Sequence, residues 1–376
     1  MKTLTGLRPP RPGYIGLQDA LIRYRDLAQN GGWPKIPAGA TLRKGDRGER
    51  VHLLRNRLRL TGDLDPSAAE DPSLLNDAVE TAVRRFQRRH GLKDDGIVGR
   101  DTLAALNVPV DERVRQIELN MERWRWIPHD LGDRHILVNI PDYKLRVVDN
   151  SVTAMEMRIV VGKEYKATPV FSGSIKSLEV NPYWNIPHGI AVEEILPKIR
   201  KDPHYLAKQG IRVFQGWRKN APEIDPATVD WDQVTDRNFT FKLRQDPGPL
   251  NPLGRVKFIF PNKFAVYLHD TSTRGSFQNS TRGFSHGCIR VERPLDLAEY
   301  LLRDDRGRTR EAISGAFESN VRETIPLRQP VPIHILYWTA WVDDKGGTVH
   351  FRNDIYERDP PLDMALEEGP PSARES

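Results

Sequence analysis

Leu17, Ala20, Leu21, Tyr24 and Leu27 recur at helical spacing, and Asn30-Gly31-Gly32-Trp33-Pro34 ends the run. These residues define an N-terminal helical segment over 1–41. A small helical module is predicted over 42–107. Val51, Leu54 and Leu58 stripe one helix, and Ala78, Ala82, Val83 and Phe86 stripe a second from about Asp77 to His90. Asp77 and Glu80 have capping-box spacing at its start. After Gly91 and the turn Asp95-Gly96-Ile97-Val98-Gly99, Thr102–Leu106 begins a third helix. Arg84, Arg85, Arg88 and Arg89 fall on the polar side and read as a solvated face. Asp111 is the expected cap of a linker helix over 108–133 that buries Val114, Ile117, Met121 and Trp124.

From His135 the hydrophobic period changes. His135–Val148, Ala154–Val161, Val256–Phe260 and Ala265–His269 read as strands, predicting a mainly β catalytic domain over 134–336. Residues 190–245 interrupt the pattern. Val192–Arg200 and Tyr205–Gly210 look helical and Asn220–Asn238 is polar, as in a helical lid subdomain inserted into a β domain. Residues 337–376 form a C-terminal segment that ends in a Pro-rich, frayed tail over 358–376. The fold class is therefore multidomain α+β.

Composition narrows the partners only a little. The 376 residues are 38% hydrophobic and 29% charged, which suits two or three soluble domains. The net charge of +6 favours an anionic partner: nucleic acid, acidic lipid or a wall polymer. No interleaved aromatic and basic motif supports nucleic acid. No window approaches the roughly 18 apolar residues of a membrane span. Met1–Pro10 lacks the apolar core of a signal peptide, which taken alone reads as a cytoplasmic start. His129, His135, His188, His204 and His350 have no ligand spacing, so no metal is expected, and no phosphate-cradling motif calls for a cofactor.

Cys288 is the only cysteine, which excludes a disulfide framework. Taken alone it reads as a buried small hydrophobe. Its neighbours change that reading: Tyr267-Leu268-His269-Asp270-Thr271 is followed by Ser285-His286-Gly287-Cys288-Ile289-Arg290. A thiol nucleophile needs a base within reach and a group to orient that base. His286 is near in sequence, and His269 could meet the thiol across adjacent strands. Spacing leaves both as candidates. Arg290 can depress a thiol pKa or bind a carboxylate.

The upstream His and the Ser-His-Gly-Cys-Ile-Arg run resemble the L,D-transpeptidase family of bacterial cell-wall enzymes, in its long, lid-bearing branch. Residues 42–107 resemble a peptidoglycan-binding module, through Phe86–Leu92 and Asp95–Gly99. Asn181–Pro187 resembles the stretch before the lid, and Trp338–Asp343 the closing segment. The resemblance implies Cys288 as nucleophile and His269 as base, oriented by the Asp270 carbonyl. Backbone N–H groups of Gly287 and Cys288 would form the oxyanion hole. Ser285 and His286 would shape the pocket, and Asn181, Tyr183, Trp184, Tyr267 and Arg290 would seat the substrate.

The implied reaction is cross-linking by acyl transfer from a tetrapeptide stem, with release of D-Ala. The implied partners are peptidoglycan stem peptides and glycan strands, with carbapenem-type β-lactams as covalent inhibitors. Hydrolysis instead of transfer would make a carboxypeptidase, and a non-catalytic wall-binding protein is the rival class. The family implies a periplasmic or cell-envelope location. Its members carry an export signal or membrane anchor, and Met1–Pro10 shows neither, so an anchor would lie in an N-terminal segment missing from this sequence.

Overall fold

The structure is a computed structural model that describes residues 9, 11–65, 71–343 and 347–368. The chain divides into two compact units, one of residues 1–131, 139–142 and 335–376, the other of 132–138 and 143–334. No helix among the described residues is long and apolar enough to cross a membrane.

In the first unit, α1 (Pro12–Gln29) begins with proline, where a missing N–H costs nothing, and buries Tyr14, Leu17, Ala20 and Tyr24. Helices α2 (Glu49–Leu60), α3 (Asp77–Arg89) and α4 (Arg100–Leu106) enclose a core that includes Val51, Leu54, Leu58, Val79, Val83 and Phe86. The cap of α3 is Asn76, whose side chain accepts from the Val79 N–H, and the expected cap Asp77 lies in the first turn. Asn76 is extended, as a capping residue must be, and Glu80 is turned to Arg84 instead. Helix α5 (Val110–Arg125) likewise starts after Pro109, leaving the expected cap Asp111 in the first turn, where its charge suits the helix dipole. The arginines of α3 are mostly paired: Arg84 with Glu80, Arg88 with Asp94 and Arg89 with Asp63.

The expected frayed tail is corrected over part of its length. Asp359–Glu368 is a helix whose first turn accommodates Pro360 and Pro361. Arg123 and Arg115 of α5 hold it through Asp359 and Asp363. Residues 369–376, and Met1–Arg8 with Pro10, lie outside the described residues.

The second unit is built on a curled sheet. Its strands are β1 (Arg134–Asn139), β2 (Lys144–Asp149), β3 (Val152–Gly162), β4 (Phe171–Val180), β5 (Trp184–Asn185), β6 (Ile211–Phe214), β7 (Glu223–Ile224), β8 (Lys242–Gln245), β9 (Val256–Ile259), β10 (Leu268–His269), β11 (Gly283–Ser285), β12 (Ile289–Val291) and β13 (Glu323–Leu336). The main sheet runs β11-β3-β12-β10-β9-β4-β13-β1-β2, and β2 pairs back onto β3, so it closes like a barrel. One edge of β3 carries β2 and then β11, while its other edge carries β12.

The continuous strand expected over 135–148 is a hairpin, broken where Tyr143 turns left-handed at φ 53°. The strand expected over 265–269 is reduced to Leu268–His269. Asn262 accepts from the N–H groups of Phe264 and Val266, and Ala265 is left-handed at φ 53°, which makes a turn of that stretch.

Strands β4 and β9 are antiparallel neighbours whose ladder ends at Val180 opposite Val256. Everything between them is an insert. It has its own core, including Ile186, Ile195, Leu196, Leu206, Val213, Phe239 and Leu243. The expected helical insert is a mixed one. Besides helical runs it contains a four-stranded sheet, β5-β8-β6-β7, whose strands of two to four residues are too short to show an alternation.

Candidate functional site

Strands β10 and β12 are parallel neighbours, with Leu268 opposite Ile289 and His269 opposite Arg290. Leu268, Ile289 and Phe258 of β9 are fully buried and face the inside of the barrel. Alternation along a strand then sends Tyr267, His269, Cys288 and Arg290 to the other face. Four of the residues singled out in the sequence thus come together because two short strands share a register.

His269 is buried, and its Nδ1–H donates to the Asp270 carbonyl at 2.5 Å. That bond fixes the tautomer and leaves Nε2 with a free lone pair. Asp270 is itself pinned: its carboxylate accepts from the Arg255 N–H at 2.8 Å, the Thr271 N–H at 2.6 Å and Arg274 Nη2 at 2.6 Å. Burial, reinforced by the charges of Arg290 and Lys257, pushes His269 down to about 3 against the opposing pull of the Asp270 carbonyl. Burial raises the Cys288 thiol, while a backbone bond from Tyr267 and the charges of Lys257 and Arg290 pull it back. At neutral pH both groups are uncharged. The thiol is half-buried, 3.9 Å from the Ala265 carbonyl, and is not hydrogen-bonded to His269.

The turn before the cysteine depends on two glycines. Gly287 has φ 108°, a left-handed conformation that side chains disfavour. At Gly162 a Cβ would meet the Lys166 carbonyl at 2.1 Å and Gly287 Cα at 3.1 Å, so only glycine lets these segments approach. Thr168, fully buried, accepts from the Gly162 N–H and donates to the Gly287 carbonyl, both at 2.9 Å. Ser285 Oγ donates to the Cys288 carbonyl and accepts from the Gly287 N–H at 3.2 Å. Sequence reasoning passed over Thr168, because a lone threonine in a loop carries no signal until the fold brings it to Gly287.

His286 points the other way, its Nε2 lying 2.7 Å from Glu194 Oε1 on the π-helical turn Ala191–Ile195 of the insert. Tyr267 lies under Lys257, whose Nζ is 3.7 Å from the ring centroid. Tyr183 is half-buried under Arg244, 4.4 Å from its ring centroid. Trp184 packs against the insert core. Asn181 is fully buried, and its amide holds the carbonyls of Ala316 and Val321 at 2.8 and 3.2 Å. The structure thus commits the Asn181 amide to the fold, while Trp184 stays partly exposed beside the insert core. Among the described residues no three His, Cys, Asp or Glu side chains gather as a metal set.

Residues 133–332 match the L,D-transpeptidase catalytic domain (YkuD), and residues 47–106 match a "Putative peptidoglycan binding domain". A Haemophilus influenzae protein named "Putative L,D-transpeptidase" is 34% identical over 253 residues, which are 67% of this chain and 49% of that protein. The chain thus spans about half the length of that curated relative. Among solved structures, the L,D-transpeptidase of Stackebrandtia nassauensis is 14% identical, with 81% of this chain and 96% of that one covered and a TM-score of 0.29. L,D-transpeptidase 3 of Mycobacterium tuberculosis, in complex with a faropenem-derived adduct, is 10% identical over 54% of this chain and 60% of that one, with a TM-score of 0.24. The catalytic-domain match covers β10 and β12 with the adjoining Tyr267 and Cys288, and on its extent the chain belongs to the L,D-transpeptidase family.

Proposed function

We propose that the chain is a cysteine acyltransferase that forms peptidoglycan cross-links from tetrapeptide stems, working in the periplasm or cell envelope where that polymer is built. The observation that carries this reading is the tautomer of His269. Its Nδ1 proton is committed to the Asp270 carbonyl, so Nε2 is a ready base on the sheet face that also bears the only cysteine.

Because both groups rest uncharged, the proton moves as the bond forms. His269 Nε2 takes the Cys288 proton while sulfur attacks the carbonyl between the third stem residue and the terminal D-Ala. The Cys288 N–H has no partner among the described residues, and the Gly287 N–H is held only by a 3.2 Å bond to Ser285. We assign these two as oxyanion donors, each worth about 3–4 kcal/mol in the transition state. The C–N bond breaks, the imidazolium gives its proton to the departing amine, and a thioester remains. An acceptor amine then attacks, His269 takes its proton, the C–S bond breaks and the thiolate recovers a proton. Carbapenem-type β-lactams would acylate the same sulfur, and the helical module would engage the wall polymer.

Intact mass after incubation with disaccharide-tetrapeptide tests the reading. An acyl adduct is expected on the parent chain. It should be absent in Cys288→Ala and formed about 10²–10⁴-fold more slowly in His269→Ala. A dimeric muropeptide product makes the enzyme a transpeptidase, and a free tripeptide alone makes it a carboxypeptidase. Folded protein with a free thiol and no adduct refutes acyl transfer from this donor.

A further inference from the structure

The site holds two cations with nothing opposite them. Strands β4, β9, β10 and β12 are consecutive in the sheet, and one row runs straight across them: Glu179 opposite Lys257, Lys257 opposite His269, His269 opposite Arg290. The row beside it, Leu178, Phe258, Leu268 and Ile289, is fully buried inside the barrel. Directly opposed residues project to the same face, with neighbouring Cβ atoms about 4.5–5.5 Å apart. Lys257 and Arg290 therefore bracket His269 on the face that carries Cys288.

Neither cation is neutralised. Glu179 would be the natural partner of Lys257, but its carboxylate is taken by Arg322. Among the described residues Lys257 has no ion pair or hydrogen bond. Its ammonium rests on the Tyr267 ring, 3.7 Å from the centroid. Arg290 also has no ion pair, and its Nε is buried without a hydrogen-bond partner. Half-buried charges left uncompensated lower stability. A site that retains two of them is arranged for an anion that arrives with the ligand.

The chemistry of the donor supplies one. A peptide cleaved at its last amide bond carries its C-terminal carboxylate only two bonds beyond the departing nitrogen, about 3–4 Å from the reacting carbonyl. We propose that Lys257, together with Arg290, recognises the free C-terminal carboxylate of the acyl donor, so that Lys257 is a specificity-determining residue for donors ending in a carboxylate. This rests on the acyl-transfer reading of Cys288. It adds a requirement which that reading does not contain: a tetrapeptide stem capped as a carboxamide is a poor donor.

A substrate–enzyme cycle tests it. Two donors are compared, disaccharide-tetrapeptide and its C-terminal carboxamide, with parent chain, Lys257→Met and Lys257→Arg. Parent kcat/KM is expected to fall about 10–100-fold on amidation, the range of a charge-assisted hydrogen bond. Lys257→Met should lose about as much on the free acid and then discriminate less than about 3-fold between donors. Lys257→Arg should restore most of the discrimination.

The same pair of donors, titrated calorimetrically into Cys288→Ala protein with and without Lys257→Met, reads recognition without chemistry. Carboxylate preference in binding that disappears with Lys257→Met, together with a parent chain that forms no adduct, would overturn acyl transfer and leave the recognition standing. Equal discrimination by parent and Lys257→Met in both measurements, or none in the parent, overturns the role of Lys257. Near-UV circular dichroism of each variant confirms folding.

Discussion

Arg89 in the helical unit and Lys257 in the barrel are both cations drawn out of water, and the fold treats them in opposite ways. Arg89 is buried at 5% exposure and makes two charge-assisted hydrogen bonds to Asp63, itself at 5%. Burial alone would lower its pKa, but the charge and hydrogen bonds of Asp63, with help from Tyr24, raise it overall. Lys257, half-buried, is also penalised by burial and has no hydrogen-bonded carboxylate, so its pKa is lowered despite the pull of Glu179 and Cys288. Arg290 follows Lys257: burial lowers it, and only the thiol opposes. A charge that serves the fold arrives with its partner. The two beside Cys288 are left for something that is not part of the chain.

The largest test of this contrast removes one partner from each region. Asp63→Asn strands Arg89 and is expected to cost the helical unit about 3–5 kcal/mol, read from a urea midpoint followed by far-UV circular dichroism. Lys257→Met should instead leave stability within about 1 kcal/mol, or raise it, because no pair is broken. An equal loss from both substitutions would erase the distinction.

Acid provides a second, smaller test. His269 is neutral in the folded protein, with a pKa of about 3 against about 6.5 when unfolded. As pH falls the unfolded chain takes up the proton first. The contribution to stability is thus complete above pH 6.5 and is lost progressively toward pH 3. Between pH 7 and 4.5 the expected loss from this group is about 2–3 kcal/mol, and His269→Gln should flatten that part of the curve. A flat parent profile for the barrel would show that the imidazole is not desolvated.

The smallest effect is expected at the insert. The His286–Glu194 pair is partly exposed, with side chains 27% and 42% accessible. Glu194→Gln should change stability by less than about 1 kcal/mol. It should nevertheless speed hydrogen exchange of 191–201 if the pair latches the insert to the turn before Cys288. Unchanged exchange there would count against a latch.

Much of this was readable in the chain, and the reasons are local. The helices of the first unit announce themselves because apolar residues such as Ala82, Val83 and Phe86 recur at helical spacing, although the buried stripe begins at Val79 and Ala78 is exposed. The Ser285–Arg290 run is legible because its chemistry is packed into six residues. Spacing left His269 and His286 level and only the resemblance favoured His269; the register of β10 on β12 supplies the physical reason, setting His269 opposite Arg290. Lys257 was invisible. It sits in the apolar run Val256–Phe260 and gains meaning only because β9 lies beside β10. Glu194 and Thr168 were missed for the same reason, as their partners are distant in sequence. The caps were misplaced by one residue at Asn76 and by two at Pro109, because Asp77 and Asp111 offer capping chemistry slightly further on.

The insert leaves the barrel at Val180 and rejoins it at Val256, two residues that face each other in one ladder. To the barrel, the whole subdomain is equivalent to a hairpin turn. The segment between these ends can therefore be enlarged, shrunk or exchanged with the ladder intact, provided Asn181 keeps its hold on the Ala316 and Val321 carbonyls and the Arg255 N–H its bond to Asp270. The join is one residue from Glu179 on one strand and from Lys257 on the other. Any exchanged segment would therefore begin and end one residue from the charged row, making this hairpin the natural place to graft new donor selectivity onto an unchanged nucleophile.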